Sequence, residues 1–326
     1  MSTVGSNASI GFGEETVWAS GTTTISKFFP FISESIKLER NVVATDAIRG
    51  NAARSVWREG AERTGGDISV EVQPTDEIGT LIKHAMGRVV NAGPSGTDSY
   101  YVHDIYPSGS LPAGLKFEVD RDTKYFRYKG CKINELTLEC AVNEPLSATF
   151  SILGYDEVTS SQGTAVTGLS TLNPLTFDEG ALTIDGTSQE VSGFSLTINN
   201  NLKEDKGQLG SRYRAAIPRS GFRDVTGTLN MEFDDFTIYN LYTGGTEASL
   251  ALKFTSDDTI SGNDNYKLNI ECPRIVFTGE TPVVDGPDIV YHDMPFTAFA
   301  TDGANITEDW HRYEIRIKLI NGDATI

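Results

Sequence analysis

The sequence has few of the patterns that mark secreted, membrane-spanning or metal-binding proteins. Its three cysteines, Cys131, Cys140 and Cys272, include no CxxC pair, which argues against a disulfide framework and a zinc site. No apolar run approaches the roughly 18–20 residues that a membrane helix requires. The opening segment, MSTVGSNASIGFGEE, has neither a basic region nor an apolar signal core, so we expect synthesis in the cytoplasm without export by that route.

Positive charge is also scarce. The chain of 326 residues has 27 Lys and Arg against 45 Asp and Glu, which makes the formal net charge −18. Because Lys and Arg are needed to neutralise phosphate backbones, this composition disfavours adhesion to nucleic acid. Two interpretations stay open from charge alone. The acidic surface serves solubility only, or it lets nucleic acid pass without sticking.

Motifs of catalysis and ligand binding are scarce as well. The four scattered histidines are His84, His103, His292 and His311. None of them has the HExxH spacing of a metalloprotease. GFGEET at 11–16 begins like a phosphate loop but lacks the third glycine and the Lys-Ser/Thr end. The acidic segment 256–265 does not follow the EF-hand order of calcium ligands, so we predict a polar hairpin turn there. We predict no enzyme activity, no cofactor and no metal site.

Glycine and strand-forming residues, by contrast, are abundant. Thirty-two glycines, together with many Thr, Ser and Val residues, favour strands joined by turns. A hydrophobic content of 38% with 10% aromatics is sufficient for packed cores. The length allows roughly two domains.

Short strand-like segments recur half a chain apart. GDISVEV at 66–72 and GTLNMEF at 227–233 both open with glycine and place apolar residues at alternate positions. SIKLERN at 35–41 and SLTINNN at 195–201 match in the same way, at nearly the same separation. We interpret these matches as a duplicated domain. The matched apolar pairs are Ile36 and Leu196, Leu38 and Ile198, Ile68 and Leu229, Val70 and Met231, and Val72 and Phe233.

The match continues downstream at smaller separations. LKF at 115–117 recurs at 252–254, and Pro145 is matched with Pro295. We attribute the changing separations to loops that altered their length after duplication.

A helix is predicted after each of the two glycine strands. In TDEIGTLIKHAMG at 75–87, the apolar side chains fall on one helical face and Gly87 is suited to cap the end. In DDFTIYNLYTGG at 234–245 the apolar stripe recurs. Here Asp234 and Asp235 suit the first turn, and Gly244 is predicted to close the helix.

The predicted domain boundary is the Ser-, Thr- and Gly-rich segment 157–173, which lacks an apolar period. The first domain is then 1–156 and the second domain is 174–326. Strands are predicted in the first half, with counterparts in the second, at 34–40, 67–73, 115–119, 123–129, 133–140 and 146–153. The predicted fold is mainly β, with two tandem sandwich or barrel domains and a short flanking α-helix in each.

Two long connectors hold many of the basic residues of this acidic chain. Residues 41–66 and 201–227 join the first two strands of each half, and loops of this length are seldom without a function. They are either solvated loops with incidental charge or arms that dock on an acidic surface of a neighbouring copy, and we favour the arms. The candidate contact residues between subunits or rings are Arg49, Arg54, Arg58, Arg63, Arg212, Arg214, Arg219 and Arg223.

Three segments resemble the tail tube proteins of long-tailed bacteriophages. They are GFGEETVWASG at 11–21, FFPFISESIKLERN at 28–41 and GGDISVEVQPTDEIGTLIKHAMG at 65–87. The resemblance covers nearly the whole chain if the second half is counted as a duplicated tube domain. It implies a β-sandwich protomer whose sheets join around a ring, and rings that stack into a hollow, acidic conduit for genome DNA. The family has no catalytic residues.

The resemblance also implies partners and a location. Three chains of two tube domains each would complete a homotrimeric, pseudo-sixfold ring. The other expected partners are the tape measure, tail terminator and distal tail proteins, and double-stranded DNA that passes transiently without sticking. We expect the protein in the virion tail, assembled in the host cytoplasm, and we expect no membrane partner.

Three carboxylates are predicted to face the channel. Strands of a half-buried sheet place one face on the core and the alternate face towards solvent. Glu39, Glu71 and Glu232 occupy polar positions of such strands. The alternative is that these faces point outward to bulk solvent.

A competing hypothesis for the whole protein is a secreted or surface β-sandwich module that binds carbohydrate or acts as an adhesin. Such a module would require an export signal, and it usually has an exposed aromatic platform. Trp18, Trp57 and Trp310 are not clustered in the sequence.

Overall fold

The computed structural model describes most of the chain. The described residues are 4–50, 52–94, 99–122, 124–233, 236–261, 264–284, 286–287, 289–301 and 309–326. Strands dominate these residues and are joined by two α-helices, so the prediction of a mainly β fold is confirmed.

The first half of the chain supplies eleven strands and the first helix in its described residues. The strands are β1 (Ser9–Glu15), β2 (Lys27–Phe28), β3 (Ser33–Glu34), β4 (Lys37–Ala44), β5 (Trp57–Glu71), β6 (Gly87–Ala92), β7 (Tyr101–Pro107), β8 (Gly114–Asp120), β9 (Tyr125–Ala141), β10 (Ser147–Gly154) and β11 (Asp156–Ser160). The helix α1 is Asp76–Met86.

The second half supplies eight strands and the second helix in its described residues. The strands are β12 (Gly180–Ile184), β13 (Thr187–Gln189), β14 (Gly193–Asn199), β15 (Asp224–Glu232), β16 (Ala248–Ser261), β17 (Asp264–Phe277), β18 (Tyr291–Ala298) and β19 (Arg316–Asn321). The helix α2 is Thr237–Gly244.

Helix α1 has the ends that its sequence predicts. The hydroxyl of Thr75 accepts a hydrogen bond from the Ile78 N–H at the start, and Gly87 takes a left-handed conformation (φ 117°) at the end. Leu81 and Met86 lie on the fully buried face. Burying an apolar side chain of this size contributes about 1.5–3 kcal/mol, so this face fixes the helix to the core.

Helix α2 ends one residue later than predicted. Gly244 is its last helical residue, and Gly245 is the left-handed cap (φ 58°), whose N–H donates to the carbonyls of the preceding turn. The predicted acidic first turn, Asp234 and Asp235, lies outside the described residues.

Strand β9 joins two strands that were predicted separately, 123–129 and 133–140. Gly130 lies between them with a left-handed conformation (φ 62°), which bends the strand without ending it. As a result the first part of β9 pairs with β8 and β11, and the last part pairs with β10 and β14.

A central antiparallel sheet runs through both halves of the chain. Its strand order is β4–β5–β10–β9–β14–β15–β18, and β3 pairs with β5 beside β4. The two halves meet at β9 and β14, where Leu138 lies opposite Leu196. Both side chains are fully buried, so the core is continuous across the junction.

Two further sheets cover the buried face. In the first half the order is β2–β1–β8–β9–β11. In the second half the order is β13–β12–β16–β17–β19–β7–β6. One core cluster includes Phe12 and Phe117 of the first of these sheets and Ile68 and Phe150 of the central sheet.

The halves are more interlocked than a simple tandem suggests. Strand β7 of the first half pairs with β19 of the second, with Ile105 opposite Ile317. The predicted linker 157–173 begins inside β11, and Leu175 just after it is fully buried. No helix among the described residues is long and apolar enough to cross a membrane.

Candidate functional site

The central sheet has one buried face and one open face. Side chains alternate between them along each strand. On β5, Ile68 and Val70 are fully buried, whereas Ser69 is half-buried and Glu71 is exposed. The open face crosses both halves of the chain because the pairing of β9 with β14 makes the sheet continuous.

A row of hydroxyl side chains crosses this open face at right angles to the strands. Successive opposite positions are occupied by Ser69, Thr149, Thr137, Thr197, Thr226 and Thr297. The Ser69 and Thr149 hydroxyl oxygens are 3.0 Å apart, and those of Thr137 and Thr197 are 3.2 Å apart. Neighbouring hydroxyls therefore satisfy one another, and the row is a neutral polar band.

Carboxylates flank the hydroxyl row on the same face. Along β5, β9, β15 and β18 they are Asp67, Glu71, Glu135, Glu139, Asp224, Glu232 and Asp293. No lysine or arginine occupies a described open-face position of 67–71, 135–141, 147–151, 193–199, 224–232 or 291–297. We call these six ranges the inner stretches of the open face, and their charged side chains are all carboxylates. Arg63, opposite Glu39 on the outer part of β5, lies on the same face beyond them.

Neutral donors hold some of these carboxylates in place. The Ser195 hydroxyl donates to Glu139 Oε1 at 3.0 Å, and the Asn230 amide donates to Asp293 Oδ1 at 2.7 Å. Because the donors are uncharged, the negative charge of the carboxylates stays uncompensated.

The three carboxylates predicted to face a channel all lie on this open face and are exposed. Glu39 is on β4, Glu71 on β5 and Glu232 on β15, and the last two strands are four strand spacings apart, about 19 Å. Glu39 differs from the other two because Lys37 Nζ lies 2.9 Å from its carboxylate. The three share a surface without forming one cluster.

Sequence reasoning missed the middle of this face. Glu135, Thr137 and Glu139 alternate with the buried residues Leu136 and Leu138 along β9. That alternation was a usable signal, but 133–140 was predicted only as a strand, with no role for its polar positions.

The first long connector is a projecting hairpin, not a loop as predicted. β4 and β5 pair from Lys37–Gly65 out to Ala44–Trp57, so that the described residues of its tip are 45–50 and 52–56. Its exposed apolar side chains include Val42, Val43 and Ile48, with exposed fractions of 65%, 58% and 98%. Apolar side chains this exposed on a hairpin are typical of a surface that binds another molecule.

Three of the predicted arginines lie on this hairpin. Arg49, Arg54 and Arg58 are exposed. Arg54 Nη2 lies 2.7 Å from Asp46 Oδ1, and both of these side chains are mostly in solvent. Exposed pairs of this kind contribute little stability to the chain that carries them.

The second long connector, 200–223, folds back on the body of the protein. Arg212 contacts Glu59 and Glu62 at the base of the hairpin, and Arg63 donates to the Arg212 carbonyl at 3.2 Å. Arg40 binds the same two carboxylates at 3.1 and 3.0 Å. The connector therefore braces the hairpin within one chain.

Arg214 is the most deeply buried arginine of this connector. It is 4% exposed, and its guanidinium donates to the carbonyls of Glu204, Thr64 and Gly154. Burial lowers the pKa of Arg214, and the nearby charge of Arg63 lowers it further. Its contacts join the connector to β5 and β10.

Arg219 and Arg223 also bind groups of the same chain. Both donate to the Ser108 carbonyl, at 3.2 and 2.7 Å, and both contact the Asn200 amide oxygen. Arg223 Nη1 lies 2.8 Å from Glu314 Oε1. Six of the eight arginines predicted to contact other copies thus have described partners within the chain: Arg54, Arg63, Arg212, Arg214, Arg219 and Arg223.

The comparison with known families agrees with this architecture. A family described as phage tail tube protein matches residues 5–298, which span most of the chain. None of the curated proteins compared with the chain matches it. The family match favours a structural tail protein over a secreted or surface binding module. The chain therefore belongs to the phage tail tube protein family, and the protein is a component of the virion tail.

Proposed function

We propose that three copies of this chain close into a ring, and that stacked rings form a hollow tube through which the genome DNA leaves the virion. The observation that carries the proposal is the open face of the central sheet. It crosses both halves, and the described positions of its inner stretches carry hydroxyls and carboxylates but no lysine or arginine.

The two halves are proposed to be repeats of one tube domain, and the strand registers support this. Leu38 lies opposite Thr64 on β4 and β5, and Ile198 lies opposite Val225 on β14 and β15. Leu38 and Ile198 are matched in the sequence. Their partners, Thr64 and Val225, are as many positions apart in the sequence as the matched segments GDISVEV and GTLNMEF. Hydrogen-bond register and sequence pattern thus agree.

The glycines that open the matched strands support the same proposal. A Cβ on Gly66 would lie 2.4 Å from the Ser35 carbonyl oxygen, and a Cβ on Gly227 would lie 2.6 Å from the Ser195 carbonyl oxygen. Gly66 is matched with Gly227 in the sequence, and Ser35 with Ser195. Both glycines therefore allow the same close approach of the same two strands in each half.

The next strands extend the correspondence. Ser69 lies opposite Thr149 on β10, and Asn230 lies opposite Asp293 on β18. Since Ser69 and Asn230 are matched positions, Thr149 of the first half corresponds to Asp293 of the second.

This register revises two matches made from the sequence, that of Pro145 with Pro295 and that of the two LKF segments. Cys131 and Ile275 are as many positions apart in the sequence as Thr149 and Asp293, so Cys131 corresponds to Ile275 in the repeat. Leu115 lies opposite Cys131, and Ala248 lies opposite Ile275. Under the proposal Leu115 corresponds to Ala248, and the identical LKF segment at 252–254 is shifted along its strand.

The open face is proposed to line the channel. DNA phosphates are repelled by carboxylates and find no lysine or arginine to bind at the described positions of the inner stretches, so the wall offers no sites of adhesion there. The hydroxyl row contributes polarity without charge. Six such faces around a ring would come from three chains with two repeats each, so that two slightly different junctions alternate.

The proposed domain limits, 1–156 and 174–326 joined by 157–173, agree only in part with the contacts. Strand β11 takes the first residues of the linker, and β6 and β7 of the first half lie on the sheet of the second half. We propose that β6 and β7 are an insertion that fastens one repeat to the other.

Negative-stain microscopy of the purified full chain, combined with its mass in solution, tests the proposal. We expect annular particles with threefold or pseudo-sixfold symmetry, and a ring of three 35.4 kDa chains has a mass of about 106 kDa. Tubes should follow at higher protein concentration. A chain that stays monomeric at all concentrations, or that forms rings of another number, would contradict it.

A further inference from the structure

The central sheet ends in an open edge on its β4 side. Among the described residues, β3 and β4 pair only with β5, so their outer edge has no strand partner. Ile32, next to this edge, has an exposed fraction of 59%. Open edges with exposed apolar side chains are sites where another strand adds.

The other end of the central sheet has a segment of matching length. Residues 279–284 continue the chain beyond β17 and run beside β18 on one side. The Thr278 N–H donates to the Pro295 carbonyl at 2.7 Å, and the Glu280 carbonyl lies 2.7 Å from His292 Nε2. One side of this segment is therefore held by its own chain.

No described strand pairs with the other side of this segment. The Thr281 hydroxyl lies 3.3 Å from the Tyr239 hydroxyl of α2, so the segment also contacts that helix. β16 pairs with β17 only as far as Ile275, and no described strand continues beyond that position. Val283 and Val284 have exposed fractions of 74% and 72%. Two adjacent exposed valines fit a strand that awaits a partner.

At the junction between the two halves, the corresponding part of β9 is already paired with a strand of the same chain. β8 covers one side of β9 as far as Cys131, and β14 covers that side from Glu135 onward. Because Cys131 corresponds to Ile275, Glu135 corresponds to Gly279. The segment 279–284 thus corresponds to the part of β9 to which β14 binds.

We propose that residues 34–39 of one copy add to residues 279–284 of the next copy as an antiparallel strand pair, and that this pair closes the ring. The inference rests on the proposed tube function and names the surfaces that would join its subunits. The partner of each edge is a second copy of this chain. Within one chain β14 pairs with β9. Because β3 and β4 correspond to β14, and the segment 279–284 corresponds to that part of β9, the same pairing can form between copies.

The internal junction also supplies a register. Asn199 lies opposite Glu135, so the same pairing between copies places Glu39 opposite Gly279. The register holds to within one residue, because β9 and β10 shift by one position after Ser151. This pairing puts Glu39 on the same open face as its counterpart Asn199.

Both backbone groups of Ile36 limit how the ladder forms. Its N–H already donates to Glu34 Oε2 at 3.1 Å. The Ile36 carbonyl already accepts hydrogen bonds from the Tyr128 hydroxyl at 2.9 Å and from Arg121 Nη2 at 2.7 Å. We therefore expect hydrogen bonds between copies on either side of Ile36 rather than through its N–H or carbonyl.

Cysteine cross-linking of assembled full-length chains tests the register. Glu39→Cys is combined in turn with Thr278→Cys, Gly279→Cys and Glu280→Cys, followed by mild oxidation. A Cβ on Gly279 would meet its nearest neighbour at 3.5 Å, so the substitution fits. Opposite residues on paired strands are close enough for a disulfide. We expect at least one combination to yield covalent dimers and trimers and no larger species.

The internal junction supplies the matched control. Asn199→Cys with Glu135→Cys should cross-link efficiently within one chain and give no dimers. The parent chain, whose three cysteines are buried, and each single variant should give neither product.

Two valine substitutions test the same surface without cross-linking. Val283→Asp and Val284→Asp change exposed side chains, so the thermal unfolding of the isolated chain should stay unchanged. Charge in a closing strand pair should lower the yield of rings severalfold or more. Val166→Asp, at a position 42% exposed in the segment between the repeats, is the control that should assemble normally.

The outcomes separate this inference from the function on which it rests. Rings or tubes that form normally, lack all three cross-links and tolerate both valine substitutions would overturn the strand pair and leave the tube function intact. Covalent products larger than trimers would contradict closure by three copies. A parent chain that never assembles would overturn both proposals.

Discussion

Glu14 connects the first strand to helix α1 through two side chains of that helix. Lys83 Nζ and His84 Nε2 each lie 2.7 Å from Glu14 Oε1. The hydrogen bond from His84, together with the hydrogen bond and charge of Lys83, lowers the pKa of Glu14 to about 2, although partial burial acts in the opposite direction. Burial lowers the pKa of His84, so the imidazole donates its Nε2 proton while neutral.

This arrangement predicts a dependence of stability on pH. A carboxyl whose folded pKa lies below its unfolded value of 4.5 stabilises the fold above pH 4.5, and the contribution is lost as the pH falls towards 2. Since the Glu14 side chain is 41% exposed, solvent screening reduces the effect to about 1 kcal/mol.

We expect Glu14→Gln to lower the free energy of unfolding at pH 6 and to lose less stability than the parent chain between pH 5 and pH 3. Denaturant titrations of both chains at each pH measure the difference. Parallel stability curves for the two chains would contradict this role of Glu14. Glu157→Gln, which changes another partly buried carboxylate of the first half, is the control.

At the scale of elements, the two long connectors have diverged. The first forms the projecting β4–β5 hairpin, and the second folds back so that Arg212 and Arg214 bind the base and inner strand of that hairpin. If the halves are repeats, each chain then projects one hairpin instead of two. We propose that these hairpins reach the neighbouring ring of the stack.

The exposed arginines of the hairpin predict an effect on stacking. Arg49→Ser, Arg54→Ser and Arg58→Ser together should leave the chain folded and lower the yield of tubes. A loss of about 1 kcal/mol of contact free energy per chain weakens each association step roughly fivefold. Sedimentation and microscopy measure ring and tube yields, and the decrease should resemble that caused by high salt in the parent chain.

Arg88→Ser, Lys124→Ser and Lys253→Ser make the same change of charge at exposed positions away from the hairpin. That control variant should form tubes of normal length. Equal yields from both triple variants would mean that net charge, rather than the hairpin, governs assembly.

Strand register explains which sequence matches between the two halves identify equivalent positions and which do not. The segments at 66–72 and 227–233 were matched in pattern because alternation and a glycine at a close strand approach are local properties. The two LKF segments were not a guide to equivalent positions under the proposed repeat, since the pairing of β8 with β9 and of β16 with β17 sets the register. Identity over three residues carries less information than the pairing of whole strands.

For the whole molecule, the open face makes a prediction about DNA passage. Glu39→Lys, Glu71→Lys and Glu232→Lys together place three lysines on a face whose inner stretches otherwise present carboxylates and hydroxyls. Tubes should still assemble, because all three side chains are exposed. Lysines attract phosphate, so DNA ejection should slow about tenfold or more at low salt and recover as salt is raised.

The charge-neutral variant Glu39→Gln, Glu71→Gln and Glu232→Gln separates repulsion from attraction. It should slow ejection much less than the lysine variant, since glutamine neither repels nor binds phosphate strongly. Intact tubes of the lysine variant with parental ejection kinetics at every salt concentration would mean that these side chains do not line the channel.

The sequence by itself determined the mainly β fold, both helices and the alternation that separates a buried face from a polar one. These features depend on periodicities of two and 3.6 residues, and on local caps such as Thr75 and Gly87. It also contained the acidic balance and the segments typical of a tail tube protein.

Only the tertiary structure decided which polar positions share a surface and which arginines are free to bind another molecule. The hydroxyl row runs across strands that are distant in the chain, from Ser69 to Thr297, and cross-strand alignment follows from register rather than from local pattern. Arg54 and Arg214 look alike in a sequence of basic connectors. One lies exposed on a hairpin and the other is buried against carbonyls of β5 and β10, because burial depends on how distant segments pack.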